Sequence, residues 1–288
     1  MHRGGHRWLG FPEGSCCSRT LPLSASDAAE RRDPFVISMP MTAPLGDAAG
    51  REKPRPASKR VAIIQSNYIP WKGYFDILNS VDEFIFLDDV QFTKRDWRNR
   101  NRIKTEAGLC WLTIPVVSKG LYAQSIDQTA IAAPWAEKHW RTLRVSYGKA
   151  PCFRDLAPRI ERAYEDVAGE RLLSDINHKL ITLICSILAI PTKISRSTEY
   201  PIAGKSTERL ISLCQAASAT EYLSGPSAAS YLDIDKFAAA GISVRYADYS
   251  GYPAYPQLHG PFEHGVSILD LLFNTGPAAR SYMKSFAA

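Results

Sequence analysis

From residue 60 onward the apolar positions fall into short continuous runs that alternate with stripes at helical spacing. "VAIIQS" (61–66) is a β-branched run, "PWKGYFDILNSV" (70–81) places its apolar residues at helical intervals, and "EFIFLDD" (83–89) is a second apolar run. Strands that are apolar at consecutive positions are covered on both faces, and a helix joining two of them is a parallel crossover. Further along, "CWLTIPVV" (110–117) predicts a strand, "APWAEKHWRTLRVSYG" (133–148) an amphipathic helix, residues 155–167 and 171–189 two more helices, and "TKISRST" (192–198) another strand. A helix capped by Gly204, Ser206 or Thr207 runs to about residue 217. "EYLSGPSAASYL" offers a very short strand, a Gly-Pro turn and a helix start; "ISVRYADY" (242–249) is a final strand, and "SILDLLFN" (267–274) a helix closed by Gly276 and Pro277. This alternation predicts an α/β fold, a mostly parallel sheet flanked by helices, with a helical portion at about 133–190.

The pattern also sets the boundaries. Residues 1–58 are rich in Pro, Gly, Ser, Ala and Arg, carry few periodic apolar positions and end in the Pro-broken "REKPRPASK". That composition predicts an extension without a stable fold, followed by one α/β domain over 59–285. Met39 and Met41 lie inside the extension, so an internal start is an expectation that intact mass tests. Neither an apolar signal-peptide core nor a run of roughly 18 apolar residues is present: the longest, "LITLICSILAI" (180–190), is closed by Pro191 and reads as a buried helix.

Composition changes this picture in two places. The net charge of +6 suggests an acidic partner, but residues 1–60 hold ten basic and six acidic side chains, so the remaining 228 carry only +2. An extended electrostatic track for nucleic acid is not expected. The six cysteines form no CxxC and no evenly spaced framework, which predicts reduced thiols in a cytoplasmic protein, with Cys185 and Cys214 buried in helices.

In a parallel sheet ligands bind beyond the carboxyl ends of the strands. After the first strand come Gln65, Asn67 and Tyr68, then Trp71 at the start of a helix whose amides can hold an anion. After the second come Asp88 and Asp89, which could act as general base, hold hydrated Mg²⁺ or pair with arginines. Lys94, Arg95, Arg98, Arg100, Arg102 and Lys104 follow with a single acid, Asp96, and with Trp97, Asn99 and Asn101 interleaved. Guanidinium forks suit phosphate and carboxylate, which a merely solvated loop does not require. "GKST" (204–207) lacks the glycine that a phosphate loop needs at 199, where Glu199 stands; Lys205 and Ser206 at a helix start remain a candidate anion site. Ser224 and Gly225 sit on a turn open to close ligand approach, and Tyr255 and Gln257 lie in a Pro- and Gly-rich loop after the last strand. His259 and His264, with no cysteine nearby, make no zinc site.

The blocks "QSNYIPWKGYFDILNSVDEFIFLDDVQFTKRDWRNRNRIKTEAGLCWLTIPV", "YLSGPSAASYL" and "YPQLHGPFEHGVSILDLLFNTG" resemble those of the bacterial WbqC-like proteins over residues 60–276. His264 departs from that resemblance and carries no role in it. The resemblance implies a place in surface-polysaccharide (O-antigen) biosynthesis, with transfer of glycine or another acyl group onto an amino sugar. It also implies a layout similar to nucleotidylyl transferases, although Tyr68 and Trp71-Lys72-Gly73-Tyr74 stand where that class carries a His-x-x-His pair. Amide formation needs an activated acyl group, a neutral amine and a stabilised oxyanion. In this reading Asp88, Asp89 and Tyr68 are the catalytic candidates, the basic block and Lys205 hold an anionic or nucleotide-sugar substrate, and ATP with Mg²⁺ is a candidate cofactor. An ATP-dependent amide ligase or nucleotidyl transferase of secondary metabolism, and a non-catalytic scaffold of a polysaccharide assembly complex, are the alternatives.

Overall fold

A computed structural model describes residues 58–287; the expected N-terminal extension lies outside the described residues. The chain runs β1 (Arg60–Ile64), α1 (Lys72–Asn79), β2 (Glu83–Phe86), β3 (Arg100–Thr105), β4 (Gly108–Thr113), α2 (Ala136–Tyr147), α3 (Phe153–Val167) and α4 (Leu173–Leu188). It continues through β5 (Lys193–Arg196), α5 (Thr207–Ala216), β6 (Glu221–Ser224), α6 (Ile234–Ala239), β7 (Ser243–Tyr246) and α7 (Ile268–Thr275). Five strands form one parallel sheet in the order β5-β2-β1-β6-β7. The chain steps outward from β1 through β2 to β5, then returns to the other side of β1 for β6 and β7. That reversal, between β1 and β6, is the switch point at which doubly wound sheets open a crevice.

The two central strands are apolar on both faces because each face has its own core. Ala62, Phe84 and Phe86 pack with α1, the helices α2, α3 and α4, and α7; Val61, Ile63, Ile85 and Leu87 pack with Leu213 and Cys214 of α5 and Phe237 of α6. Successive strand residues point to opposite faces, so one uninterrupted apolar run serves both layers. Cys185 and Cys214 are buried free thiols, and burial pushes each up to about 12. No helix among the described residues is long and apolar enough to cross a membrane.

The expected strand at 110–117 does not join this sheet. Its first part is β4, paired antiparallel with β3 in a separate two-stranded hairpin. The basic stretch itself supplies β3, an element that its charge conceals: Asn101 and Ile103 turn inward, while Arg100 and Arg102 sit across from Thr113 and Trp111 on the other face. The guanidinium of Arg100 lies 4.1 Å from the Trp111 ring, and Trp111 in turn lies 5.4 Å from Trp97. Arginine stacking on indoles satisfies a face that is neither core nor fully solvent.

Candidate functional site

A cavity of about 610 Å³ opens at the carboxyl ends of β1, β2, β6 and β7. Gln65 and Asn67 line it after β1, Leu87 and Val90 after β2, Ser224 and Gly225 after β6, and Tyr249 after β7. Trp71, Arg98 and Arg209 complete the walls, together with Ser206 and Thr207 at the start of α5. A second cavity of about 300 Å³ adjoins it and shares Asn67, Trp71 and Trp97.

The loop from Gln65 to Ile69 is held from several sides. Asp88 Oδ1 accepts the Ser66 amide at 2.7 Å, and the Tyr68 amide donates to the Trp97 carbonyl at 3.0 Å. The Asn101 side chain donates to the carbonyls of Tyr68 (3.1 Å) and Ile69 (2.9 Å). Ile69 has φ +35°, a left-handed backbone that a β-branched residue adopts only under constraint. Arg98 then bonds the side-chain oxygens of Asn67 and, at 3.2 Å, Gln65; its nearest carboxylate, Asp96, is 3.6 Å away. Because both oxygens face Arg98, the NH₂ groups of Asn67 and Gln65 are the donors left over on the cavity wall.

The two aspartates separate. Asp88 is buried; besides the Ser66 amide it accepts the Ser174 hydroxyl of α4, and burial raises its pKa against those hydrogen bonds. Asp89 turns to the other side, accepting the Ser197 hydroxyl at 2.7 Å and pairing with Arg209 of α5. Neither borders the cavity. Arg209 does, and its Nε is buried without a partner among the described residues. Among the described residues no three His, Cys, Asp or Glu side chains come together as a metal site.

Other expected site residues are dispersed. Tyr68 is fully buried, its hydroxyl 2.9 Å from His139 Nδ1 and 2.7 Å from the Tyr164 hydroxyl, and burial raises its pKa well above the usual phenol value. It does not border the cavity. Asn99 donates to the Ile114 carbonyl at 2.8 Å and ties down the end of the hairpin. Lys94 lies over the Tyr122 ring, and the Arg95 carbonyl accepts from Arg100; none of these three lines either cavity. Lys205 is exposed and also off the wall, unlike its neighbour Ser206.

Tyr255 and Gln257 belong to a separate buried network. Asp270 accepts from the Tyr255 hydroxyl (2.7 Å), Gln257 Nε2 (2.8 Å) and the Tyr147 hydroxyl (2.8 Å), while Lys104 donates to Gln257 at 3.1 Å. The Tyr147 hydroxyl also accepts the Lys104 amide of β3 at 3.0 Å, so it ties the hairpin to α7. Tyr147→Phe leaves that amide and a carboxylate lone pair unsatisfied, at about 1–3 kcal/mol. At about 2–4 °C per kcal/mol the melting temperature is expected to fall by about 5 °C in a calorimetric scan. An unchanged midpoint would show that water replaces the hydroxyl.

Arg209, Tyr249 and Tyr231 line the larger cavity without having been singled out in the sequence. Arg209 sits in an ordinary amphipathic helix pattern, "TERLISLC", with no local sign of its partner at Asp89.

Residues 65–282 match the family model described as the WbqC-like protein family. Over 227 residues the chain is 52% identical to the uncharacterized protein Rv1507c of Mycobacterium tuberculosis, an alignment covering 78% of this chain and 98% of that protein. No solved structure matches the chain. Because the family model matches most of the chain, from the end of β1 through α7, the chain belongs to the WbqC-like protein family.

Proposed function

We propose that the protein is a cytoplasmic, amide-forming transferase that holds a nucleotide-linked amino sugar in the switch-point crevice and acylates its amine with glycine or a similar group. One observation carries this reading: a cavity of about 610 Å³ at the carboxyl ends of parallel strands, walled by aromatic rings and by Arg98 and Arg209, within the roughly 300–1,000 Å³ typical of small-molecule sites. Arg209, a guanidinium on the cavity wall, suits a phosphate oxygen. The free NH₂ groups of Asn67 and Gln65 suit the oxygen of the acyl carbonyl, where negative charge develops as the amine attacks. Asp88 and Asp89 serve here as positioning residues, the first for the Gln65–Asn67 loop and the second for Arg209. Acylation breaks the bond from the acyl carbon to its leaving group, forms the carbon–nitrogen bond and releases the proton of the amine.

Titration calorimetry with UDP- and dTDP-linked aminohexoses tests binding, and mass spectrometry after incubation with glycine, ATP-Mg²⁺ or acyl thioesters tests transfer. The expected result is saturable binding and a sugar heavier by one acyl group. Arg209→Ala is expected to weaken binding about ten- to one hundred-fold, since a hydrogen bond to a charged group contributes about 1.5–3 kcal/mol. If no aminohexose nucleotide binds, the reading fails. If one binds while no acyl donor reacts, the scaffold reading takes its place.

A further inference from the structure

We infer that the smaller cavity, between the Trp71 and Trp97 indoles and the Arg102–His264 edge, is a pocket for the nucleobase of the substrate. The inference rests on the reading above and assigns each end of that substrate to its own cavity. The two cavities share Asn67, Trp71 and Trp97, so they lie side by side, as the two ends of one elongated ligand require. They differ in chemistry. The larger is bordered by Arg98 and Arg209, whereas the smaller, of about 300 Å³, is walled mainly by Pro70 and two indoles. Flat apolar faces suit a base, and the two arginines of the neighbouring cavity suit its phosphates.

Its polar edge fits the same ligand. Arg102 borders the cavity and donates through Nη2 to the Gly265 carbonyl at 2.9 Å, which fixes its guanidinium at that edge. A planar guanidinium held in this way suits a base carbonyl as acceptor. His264 adds a ring to this edge, packed edge-on against Phe262 at 4.5 Å between centroids. Two glycines make room for these walls. A Cβ on Gly265 would stand 2.6 Å from Arg102 Nη2, and one on Gly73 would stand 2.6 and 2.7 Å from two Trp71 ring carbons.

The test compares UDP-glucosamine, UDP, glucosamine 1-phosphate and inorganic pyrophosphate on the full-length protein, with tryptophan fluorescence and calorimetry as readouts. UDP is expected to quench indole emission and to bind at least ten-fold more tightly than pyrophosphate. His264→Ala borders the smaller cavity alone and is exposed, so the fold tolerates it. It is expected to weaken UDP and UDP-glucosamine about three- to ten-fold while leaving pyrophosphate and glucosamine 1-phosphate within two-fold. Trp97→Ala, at a side chain 41% exposed, is expected to remove most of the UDP advantage. If glucosamine 1-phosphate binds as tightly as UDP-glucosamine, or if His264→Ala weakens all four ligands alike, the base pocket is wrong while the transferase reading stands. If neither UDP-glucosamine nor glucosamine 1-phosphate binds, both fall together.

Discussion

Gly73→Ala is expected to weaken the binding of a nucleotide-linked sugar at least ten-fold while leaving the melting temperature within about 3 °C of the native value. In an ordinary helix the same change is stabilising, by about 0.8–1.0 kcal/mol. Here a methyl group at residue 73 would lie 2.6 and 2.7 Å from carbons of the Trp71 indole, so the ring must swing away. Trp71 forms a wall of both cavities, and it packs edge-on against Tyr249 at 4.9 Å and Tyr252 at 5.6 Å. The lost contacts offset the helix gain, which is why stability should barely move. Binding should move, because the wall has gone. A calorimetric titration showing native affinity, with the Trp71 emission shifted, would mean that this ring is not part of the ligand site.

Glu83→Gln is expected to lower the melting temperature by about 10 °C without changing ligand affinity by more than about two-fold. Glu83 is 1% exposed at the amino-terminal end of β2, away from the crevice. It pairs with Lys59 at 2.8 Å and Lys193 at 2.9 Å, and accepts the hydroxyls of Ser195 at 2.7 Å and Tyr200. Burial alone would push this carboxyl up, but the donors on Lys59, Tyr200, Lys193 and Ser195 overcome it and hold the pKa at about 2. Glutamine keeps the shape and loses the charge, leaving two ammonium groups beside an amide. The carboxylate is buried but its lysine partners are partly solvated, so the cost falls at the low end of the about 3–5 kcal/mol for breaking a buried pair, and about 2–4 °C of melting temperature accompanies each kcal/mol in a domain of this size. The pH dependence follows from the direction of the shift. A carboxyl held below its ordinary 4.5 contributes its stabilisation in full above that value and loses it as pH falls toward about 2. The gap between native and variant midpoints should therefore be widest near pH 7 and close progressively from about pH 4.5 downward. A gap that stays constant across that window would locate the stabilisation elsewhere.

The strands of the central sheet were legible because their signal is local. "VAIIQS" and "EFIFLDD" are apolar at consecutive positions, and both strands are covered on both faces. β3 was not legible: its outward arginines are balanced by the indole of Trp111 on the opposite strand and that of Trp97 just before β3, partners that the stretch "RNRIKT" does not carry within itself. The aspartate pair misled for a related reason. Adjacent residues of an extended segment point to opposite faces, so Asp88 follows Phe86 toward α4 and Asp89 follows Leu87 toward α5. Adjacency in the chain had suggested one carboxylate site, and the pleat makes two.

Of the expected ligand-binding set, Gln65, Asn67, Trp71, Trp97, Arg98, Ser206, Ser224 and Gly225 do line the crevice. Most were found by one rule, that residues just past parallel strands or at helix starts face ligands, and Trp97 and Arg98 by the basic, aromatic-interleaved stretch that holds them. Arg209, in the first turn of α5, escaped notice because the acid that pairs with it stands 120 residues away.

Periodicity by itself determined the strands of the central sheet, the helices that flank it and that this sheet is parallel, though not β3 or its antiparallel hairpin, since those preferences act over a few neighbouring residues. The tertiary structure alone decided the strand order and, with it, the crevice. Only the reversal at β1 brings Gln65, Arg98, Ser224 and Arg209 to the walls of one cavity. A cavity is space enclosed by segments distant in the chain, and no local pattern encodes the distance between them.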